Sequence, residues 1–343
     1  MTGPAPLGQD AAMSSLPPLS ILDLAPVVDG DTTRQALLNS IDLARLADRL
    51  RYRRYWVAEH HNMEGVASSA TAVLLGQLAA ATSRIRVGAG GIMLPNHAPL
   101  TIAEQFGTLA ELFPGRIDLG LGRAPGTDRP TMRALRRSLE SSGEDAFPND
   151  VLELQAYLAA PRDDAPVRAV PGQGTEVPLW LLGSSLYGAQ LAAYLGLPFA
   201  FASHFAPEML MQALEIYRSN YRPSPRHPKP HAAVGLNVIV APTDEEARRL
   251  FTSAQQRFLG MVRGRRGKLP RPVESMDALW TPSEQMQVER MLSESVVGSP
   301  VTVRAGLRAT AERTGADEFI VACAVHDHAL RRRSYELLDE LAA

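Results

Sequence analysis

Short apolar runs alternate along the chain with longer segments whose apolar residues recur every three or four positions. The runs predict buried strands, and the longer segments predict helices with one buried face. Alternation of strands and helices indicates a parallel sheet. The eight predicted strands are 19–28, 54–58, a run beginning at 84, 116–122, 178–183, 198–202, 232–240 and 318–325.

Eight strand–helix units in one domain of this length predict an α/β fold, a (β/α)8 TIM barrel. A doubly wound open sheet is the alternative. That fold normally carries a glycine fingerprint after its first strand, and Pro-Val-Val-Asp-Gly at 26–30 is not one. The barrel is therefore the preferred architecture.

Two segments fall outside this alternation. Residues 1–18 are rich in Pro, Gly, Ala and Ser, which predicts a disordered N-terminal tail before a barrel at 19–343. Residues 264–300 are rich in Arg, Gly, Pro and Ser, with a short helical piece around 283–293. We expect this segment to be an insertion, or a lid, between strands seven and eight.

Composition narrows the class of protein. The chain has 343 residues, is 45% hydrophobic and carries a net charge of −2, so its charge gives no case for nucleic acid or an anionic membrane. The single cysteine, Cys323, lies in an apolar strand pattern and cannot form an internal disulfide. With no basic, apolar leader and no long apolar run, a cytoplasmic location is expected.

Glycines end two neighbouring predicted strands. Gly88, Gly90 and Gly91 end the third strand, and Gly120 and Gly122 end the fourth. In parallel α/β folds, ligands bind beyond the carboxyl ends of the strands. Close packing of backbone also selects glycine, but five glycines at two adjacent strand ends favour contact with a flat ligand.

One cation and two hydroxyls follow the fourth and fifth strands. Arg123 comes after the fourth strand, and Ser184 and Ser185 lie between the fifth strand and the next helix. Free N–H groups and the helix dipole favour an anion at that point. Serine is also a common N-cap without any ligand. Together with Arg123 on the same rim, the serines predict a monophosphate site.

Two nucleotide motifs are incomplete. Residues 120–126 place Pro125 where a dinucleotide loop needs its third glycine. Residues 183–188 are followed by Ala189 and Gln190, where a P-loop needs lysine and a hydroxyl. Neither a Rossmann site nor a nucleoside triphosphate site is predicted.

Polar residues end the second predicted strand as Glu59, His60 and His61. Successive strand residues point to opposite sides, so at most one of Glu59 and His60 faces the barrel axis. A histidine there can act as a general base, or it can be a hydrogen-bonded structural residue. His326 and His328 follow the eighth strand, but no spaced carboxylate completes a metal site with these histidines, and no metal is predicted.

Four motifs together resemble the luciferase-like flavin monooxygenases, the bacterial luciferase superfamily. They are Ala-Glu-His-His at 58–61, Gly-Ala-Gly-Gly-Ile-Met-Leu-Pro-Asn-His-Ala-Pro at 88–99, Gly-Arg-Ile-Asp-Leu-Gly-Leu-Gly-Arg at 115–123 and Gly-Ser-Ser at 183–185. The resemblance extends from about residue 19 to the C-terminus. It implies a (β/α)8 barrel that binds reduced FMN at its C-terminal mouth.

The resemblance also implies roles for single residues. A non-proline cis peptide that supports the flavin would lie at Gly90–Gly91, and His60 would be the catalytic base. Luciferase has a reactive cysteine at the position of Gly122, so light emission by its route is not implied. The implied cofactor-binding residues are Glu59, Gly90, Gly91, Asn96, Arg123, Gly183, Ser184, Ser185 and Gly188.

From these features we expect a flavin-dependent monooxygenase that uses reduced FMN and O2 to oxygenate a small organic substrate. No nicotinamide fingerprint is visible, so a separate reductase is expected to supply the reduced flavin. Two alternatives stay open: an F420-dependent hydride-transfer oxidoreductase on the same barrel, and a non-catalytic flavin-binding paralogue. The substrate is not identified, and a homodimer is left open as an assembly.

Overall fold

The computed structural model describes residues 16–124, 129–135, 143–161 and 164–342. Almost all of the predicted tail at 1–18 lies outside these residues. The described strands are β1 (Leu19–Asp23), β2 (Arg54–Val57), β3 (Arg86–Met93), β4 (Ile117–Gly122), β5 (Leu179–Gly183), β6 (Phe199–Phe201), β7 (Ala232–Val240), β8 (Ser295–Gly298) and β9 (Glu318–Ala322).

Eight of these strands close into a parallel ring. The order is β1, β2, β3, β4, β5, β6, β7 and β9, and β9 pairs with β1 to complete the circle. Every pairing in this ring is parallel, with helices between the strands. The prediction of a (β/α)8 barrel is confirmed.

The described helices surround the barrel. In one of them, α3, Pro99 stands in the first turn, and Ile102, Phe106 and Leu109, spaced by four and three residues, form its buried stripe. The helices are α1 (Thr33–Arg49), α2 (Thr71–Ala80), α3 (Pro99–Leu112), α4 (Arg129–Ala134), α5 (Gly143–Leu158), α6 (Leu186–Leu195), α7 (Leu210–Ser219), α8 (Asp244–Val262), α9 (Pro282–Met291), α10 (Pro300–Thr314) and α11 (His328–Leu341).

The segment 264–300 contains a strand that the sequence did not indicate. β6 spans three residues, so on its β7 side it reaches only the start of β7, whereas β8 pairs with Asn237–Val240 at the other end of β7. β8 therefore adds a ninth strand outside the ring, which corrects the count of eight. Its four residues, Ser-Val-Val-Gly, are too short a run to stand out within a polar segment.

The barrel interior is filled from its N-terminal end. Arg54 pairs there with Asp118 and Glu318, at 2.8 Å each, and its guanidinium lies 4.6 Å from the centroid of the Trp180 ring. Above this layer, Trp56 and Trp180 meet edge to face at 5.1 Å between centroids. Charged and aromatic side chains thus fill the N-terminal end of the barrel, and a cavity lies at the C-terminal mouth.

Candidate active site

A cavity of about 1120 Å³ occupies the C-terminal mouth of the barrel. Single small-molecule pockets usually measure about 300–1,000 Å³, so this cavity has room for a cofactor and a second small molecule. Strand ends form its walls, and α8 with the following loop forms its roof. Its apolar lining residues include Leu22, Trp56, Phe201, Phe205, Phe258 and Ile320.

His60 lines the cavity. The phase of β2 explains this position, because Trp56 and Ala58 pack inside the barrel while Tyr55 and Val57 pack against the helices. Continuing the alternation by two residues turns His60 inward. His60 lines the cavity and Glu59 does not, in agreement with the expectation that at most one of them faces the barrel axis. A chemical role for His60 stays a prediction.

Glu59 points the other way and links three segments. Its Oε1 is 2.7 Å from Nε2 of both His61 and His97, and its Oε2 accepts the Met93 N–H at 3.0 Å. Burial raises the pKa of Glu59, but hydrogen bonds from His61 and His97 outweigh burial and lower it to about 2. The carboxylate therefore joins the end of β2 to the segment after β3.

The same three side chains could hold a metal ion, since one ligand atom of each lies within 4.8 Å of the others. This group differs from the four histidines considered above. His326 Nε2 lies 3.0 Å from the Asp29 carbonyl, and His328 Nε2 lies 2.8 Å from Asp42 Oδ2. Both histidines therefore contact residues on the β1–α1 side of the barrel.

The two glycines of the expected flavin support line the cavity, and the Gly90–Gly91 peptide bond is cis, as the resemblance implied. Their missing side chains also have a packing reason. A Cβ on Gly91 would lie 2.7 Å from the Gly120 carbonyl oxygen, and one on Gly90 would lie 2.9 Å from Leu22 Cδ1. Strand packing alone therefore requires glycine here, which weakens the sequence argument for a ligand.

Packing also accounts for two of the other glycines. A Cβ on Gly88 would lie 2.5 Å from the Asp118 carbonyl oxygen, and a Cβ on Gly120 would lie 2.4 Å from that of Ala89. Gly122 has more freedom, since its nearest neighbour is the flexible Met93 sulfur at 3.0 Å. Of the five, Gly90, Gly91 and Gly122 contribute to the cavity wall.

The predicted phosphate-binding residues meet at one rim of the cavity. The Arg123 guanidinium lies over the Tyr187 ring, 4.2 Å from its centroid. Tyr187 stands in the first turn of α6, two residues after Ser185. Arg123, Tyr187, Ser184 and Ser185 all line the cavity. Ser185 is the N-cap of α6, but its side chain makes no capping hydrogen bond. Cation, hydroxyls and helix N-terminus are therefore together.

The remaining predicted residues fall into two groups. Gly183 and Gly188 line the cavity and bring β5 close to α6, since a Cβ on either would lie 3.4 Å from the Cα of the other. Glu59 and Asn96 are buried and do not line the cavity. Glu59 and Asn96 could therefore affect a cofactor only indirectly, by holding the residues that line the cavity in place.

The cavity residues that the sequence did not indicate include His204, Asn237 and Arg257. Burial, then the charge of Arg257 and last that of His60, lowers the pKa of His204 to about 4. Asn237 Nδ2 donates to the His204 carbonyl at 2.6 Å. His204 lies just beyond β6, where its place past a strand end could have been a signal. Arg257 lies within α8 and looks like any polar helix residue.

The roof is bonded to the opposite side of the mouth. Asp29 N–H donates to the Leu269 carbonyl, and Leu269 N–H donates to the Val27 carbonyl, both at 2.9 Å. Lys268 Nζ donates to the Asp31 carbonyl at 3.0 Å. Residues 265–268 line the cavity from above. The predicted insertion thus lies across the site, while its movement as a lid stays a prediction.

Comparison with known proteins agrees with this geometry. The family described as luciferase-like monooxygenase matches residues 19–318. A luciferase-like monooxygenase of Escherichia coli (strain K12) is 57% identical over 318 residues, which is 93% of this chain and 95% of that protein. The N-acetyl-S-alkylcysteine monooxygenase of Bacillus subtilis (strain 168) is 31% identical over 331 residues, covering 94% of this chain and 97% of its own.

Solved structures share the fold. Apo-MsnO8 is 40% identical with a TM-score of 0.88, covering 95% of this chain and 98% of its own. The oxygenating constituent of 3,6-diketocamphane monooxygenase from Pseudomonas putida, in complex with FMN, is 20% identical with a TM-score of 0.70, covering 95% and 97%. An F420-dependent secondary alcohol dehydrogenase is 15% identical with a TM-score of 0.69, covering 96% and 99%. These last two show the fold alone.

Within the described part of the chain, no helix combines the length and the apolar character needed to cross a membrane. The match to the family covers nearly the whole barrel, and the relative from Escherichia coli aligns along almost its full length. On these grounds, the chain belongs to the family of luciferase-like monooxygenases.

Proposed function

We propose that this chain is a two-component flavin monooxygenase. It would bind reduced FMN, delivered by a separate reductase, and use O2 to oxygenate a small organic substrate in the cavity. The observation that carries the proposal is the Arg123–Tyr187 contact beside Ser184 and Ser185. This group of residues suits a phosphate monoester at the edge of a large, mainly apolar cavity.

The described residues fit FMN at both ends. The Ser185 hydroxyl makes no cap bond and the α6 N-terminus offers backbone N–H groups, which suits the phosphate. The backbone of Gly90 and Gly91 lines the cavity without side chains, which suits a flat ring. When bound, reduced FMN would supply the two electrons with which O2 is activated. The protein supplies binding, orientation and enclosure.

His60 is the proposed catalytic residue, because it faces the cavity and can accept or donate a proton near neutral pH. His204 is a poorer candidate, since its pKa of about 4 keeps its ring neutral at that pH. The roof at 265–268 would exclude water from the reaction. Movement of segment 264–300 as a lid belongs to the proposal, because this roof lies across the cavity.

A second candidate is an F420-dependent oxidoreductase that transfers a hydride without O2. It is favoured by the shared fold of the F420-dependent alcohol dehydrogenase. Absorbance and fluorescence of the cofactor-loaded protein would separate the two cofactors. A non-catalytic flavin-binding paralogue is the third candidate, and it would bind FMN without accelerating substrate-dependent O2 uptake.

Anaerobic titration with reduced FMN, followed by mixing with O2, tests the proposal. Saturable binding of reduced FMN, together with O2 uptake that increases when a candidate substrate is added, is the expected result. Saturable binding of F420 with none of FMN would favour the hydride-transfer enzyme. Tight FMN binding with no substrate-dependent uptake across a broad substrate panel would favour the paralogue.

A further inference from the structure

Three enclosed arginines of this barrel differ in their partners. Arg54 pairs with Asp118 and Glu318, and its pKa is raised despite its burial. Arg331 pairs with Asp23 at 2.7 Å, and its pKa is likewise raised. Arg257 belongs to none of the ion pairs formed by the described residues, and burial lowers its pKa. Among the described residues, Arg257 is therefore a partly buried cation of the cavity wall with no acid beside it.

An enclosed charge without a counter-charge is costly, and proteins usually pair such a group. Arg257 lines the cavity, so a ligand in the cavity can reach its guanidinium. The other described side chains near it do not supply a negative charge. His204 is neutral at pH 7, because its pKa is about 4, and it interacts electrostatically with both Arg257 and His60. The missing anion is therefore expected from the ligand.

The wider cavity also favours an anion. Among the described lining residues, the basic side chains outnumber the two acidic ones, Asp29 and Glu64. A cavity with excess positive charge concentrates anionic ligands. The basic lining residues are Arg123, Arg257, Arg265, Arg266, Lys268 and Arg331.

The position of Arg257 separates it from the proposed phosphate site. Arg123 and Ser184 follow β4 and β5, whereas α8, which carries Arg257, follows β7. In the ring, β6 stands between β5 and β7. A single cofactor phosphate would have to reach across this separation to contact both Arg123 and Arg257. A second anion on the β7 side, near His204 and His60, is the simpler assignment.

We propose that the substrate is an organic acid whose carboxylate is bound by Arg257. This inference rests on the proposed function, because it names the substrate class of the same cavity. The carboxylate would lie on the β7–α8 side, and the apolar remainder would extend between Phe201, Phe258 and Ile320. An arginine fork can bind both carboxylate oxygens at once.

Calorimetric titration of the FMN-loaded protein with octanoate and with octanamide tests this assignment. The two probes differ in charge but not in chain length, and butanoate to dodecanoate with their amides extend the series. Wild-type protein is expected to bind the acids at least about tenfold more tightly than the amides, the range of a charge-assisted hydrogen bond. Equal binding of acids and amides across the series overturns the proposal.

Arg257→Gln is expected to remove the preference for the acid, and Arg257→Lys to keep part of it. Arg265→Gln is the matched control, because Arg265 is an exposed cation of the same cavity and the net charge changes equally. If Arg265→Gln removes the preference as fully as Arg257→Gln, the overall positive charge of the cavity accounts for the preference for the acid, and Arg257 has no specific role. Arg257→Gln should not lower the melting temperature, because no ion pair within the described chain is lost.

Titration of each variant with FMN distinguishes the proposal of a flavin cofactor from the proposal of a carboxylate site at Arg257. Unchanged FMN affinity in Arg257→Gln supports the assignment, whereas a loss of FMN affinity equal to the loss of octanoate affinity would make Arg257 a cofactor ligand. Octanoate is also titrated into protein without FMN. If FMN fails to bind wild-type protein but the acid preference persists, the flavin proposal fails and the carboxylate site stands.

Discussion

The guanidinium of Arg123 lies over the Tyr187 ring, 4.2 Å from its centroid. This contact joins the end of β4 to the first turn of α6, two elements that are separated by more than sixty residues in the sequence. Cation–π contacts contribute about 0.5–2 kcal/mol, which is enough to restrict the arginine. Arg123 is thereby held next to Ser184 and Ser185, the residues with which it is proposed to bind phosphate.

Arg123→Ala is predicted to weaken FMN binding by about tenfold or more, because a charge-assisted hydrogen bond contributes roughly 1.5–3 kcal/mol. Riboflavin, which lacks the phosphate, should lose little affinity. Fluorescence titration with both flavins measures the difference. Tyr187→Leu is the companion variant and should reduce FMN affinity less, since it removes the stacked ring but leaves the charge. An equal loss for both flavins in Arg123→Ala would assign Arg123 to another role.

Gly91→Val is predicted to destabilise the apo protein. A Cβ at this position would lie 2.7 Å from the Gly120 carbonyl oxygen and 3.2 Å from the Leu121 nitrogen, atoms of the neighbouring strand that cannot move independently. Overpacking of this kind typically costs about 1–3 kcal/mol. Gly267→Ala is the control, because it also lines the cavity but no atom lies within 4 Å of the added Cβ. Thermal unfolding of both variants without flavin decides this prediction, and an unchanged midpoint in Gly91→Val would refute it.

The sequence predicted those features that depend on local patterns. The stripe of α3 and the inward phase of His60 follow from the periods of helix and strand, and the structure has both. Pairs of distant residues were not predictable in this way. Glu59 meets His97 from 38 positions away, and nothing in the local sequence marks that contact. Arg257 stayed unrecognised because a cation on a helix is usually solvated, and only the tertiary fold encloses it.

Because of Glu59, the free energy of unfolding is predicted to fall as the pH decreases below about 4.5. Its pKa in the folded protein is about 2, below the usual value of 4.5. A lowered folded-state pKa means that the stabilisation is fully present above about 4.5 and is lost as the pH falls towards 2. This difference between the two pKa values of Glu59 corresponds to roughly 3 kcal/mol in the free energy of unfolding at neutral pH.

Glu59→Gln should therefore be less stable than wild type at pH 7, and the difference should shrink as the pH falls from 5 to 2. Urea unfolding at several pH values measures this change. Glu64→Gln is the control, because Glu64 is an exposed carboxylate on the same loop. A constant difference between Glu59→Gln and wild type from pH 7 to pH 2 would contradict the assigned pKa.

His60→Ala is predicted to slow oxygenation by about 10²–10⁴-fold, the usual contribution of a general acid or base, while FMN affinity is retained. His60 reaches the cavity because it continues the inward phase of Trp56 and Ala58. His61→Ala should affect turnover much less, since His61 contacts Glu59 behind the cavity wall; its main effect should be on stability.

Single turnovers from a preformed complex with reduced FMN are the appropriate measurement, because reductase supply then cannot limit the rate. Partial rescue of His60→Ala by added imidazole would identify the missing group as a proton carrier. If His61→Ala were the slower enzyme at equal flavin occupancy, His61 rather than His60 would be the residue that acts in the cavity. If both variants turned over at the wild-type rate, another group would carry the proton and His60 would have no catalytic role.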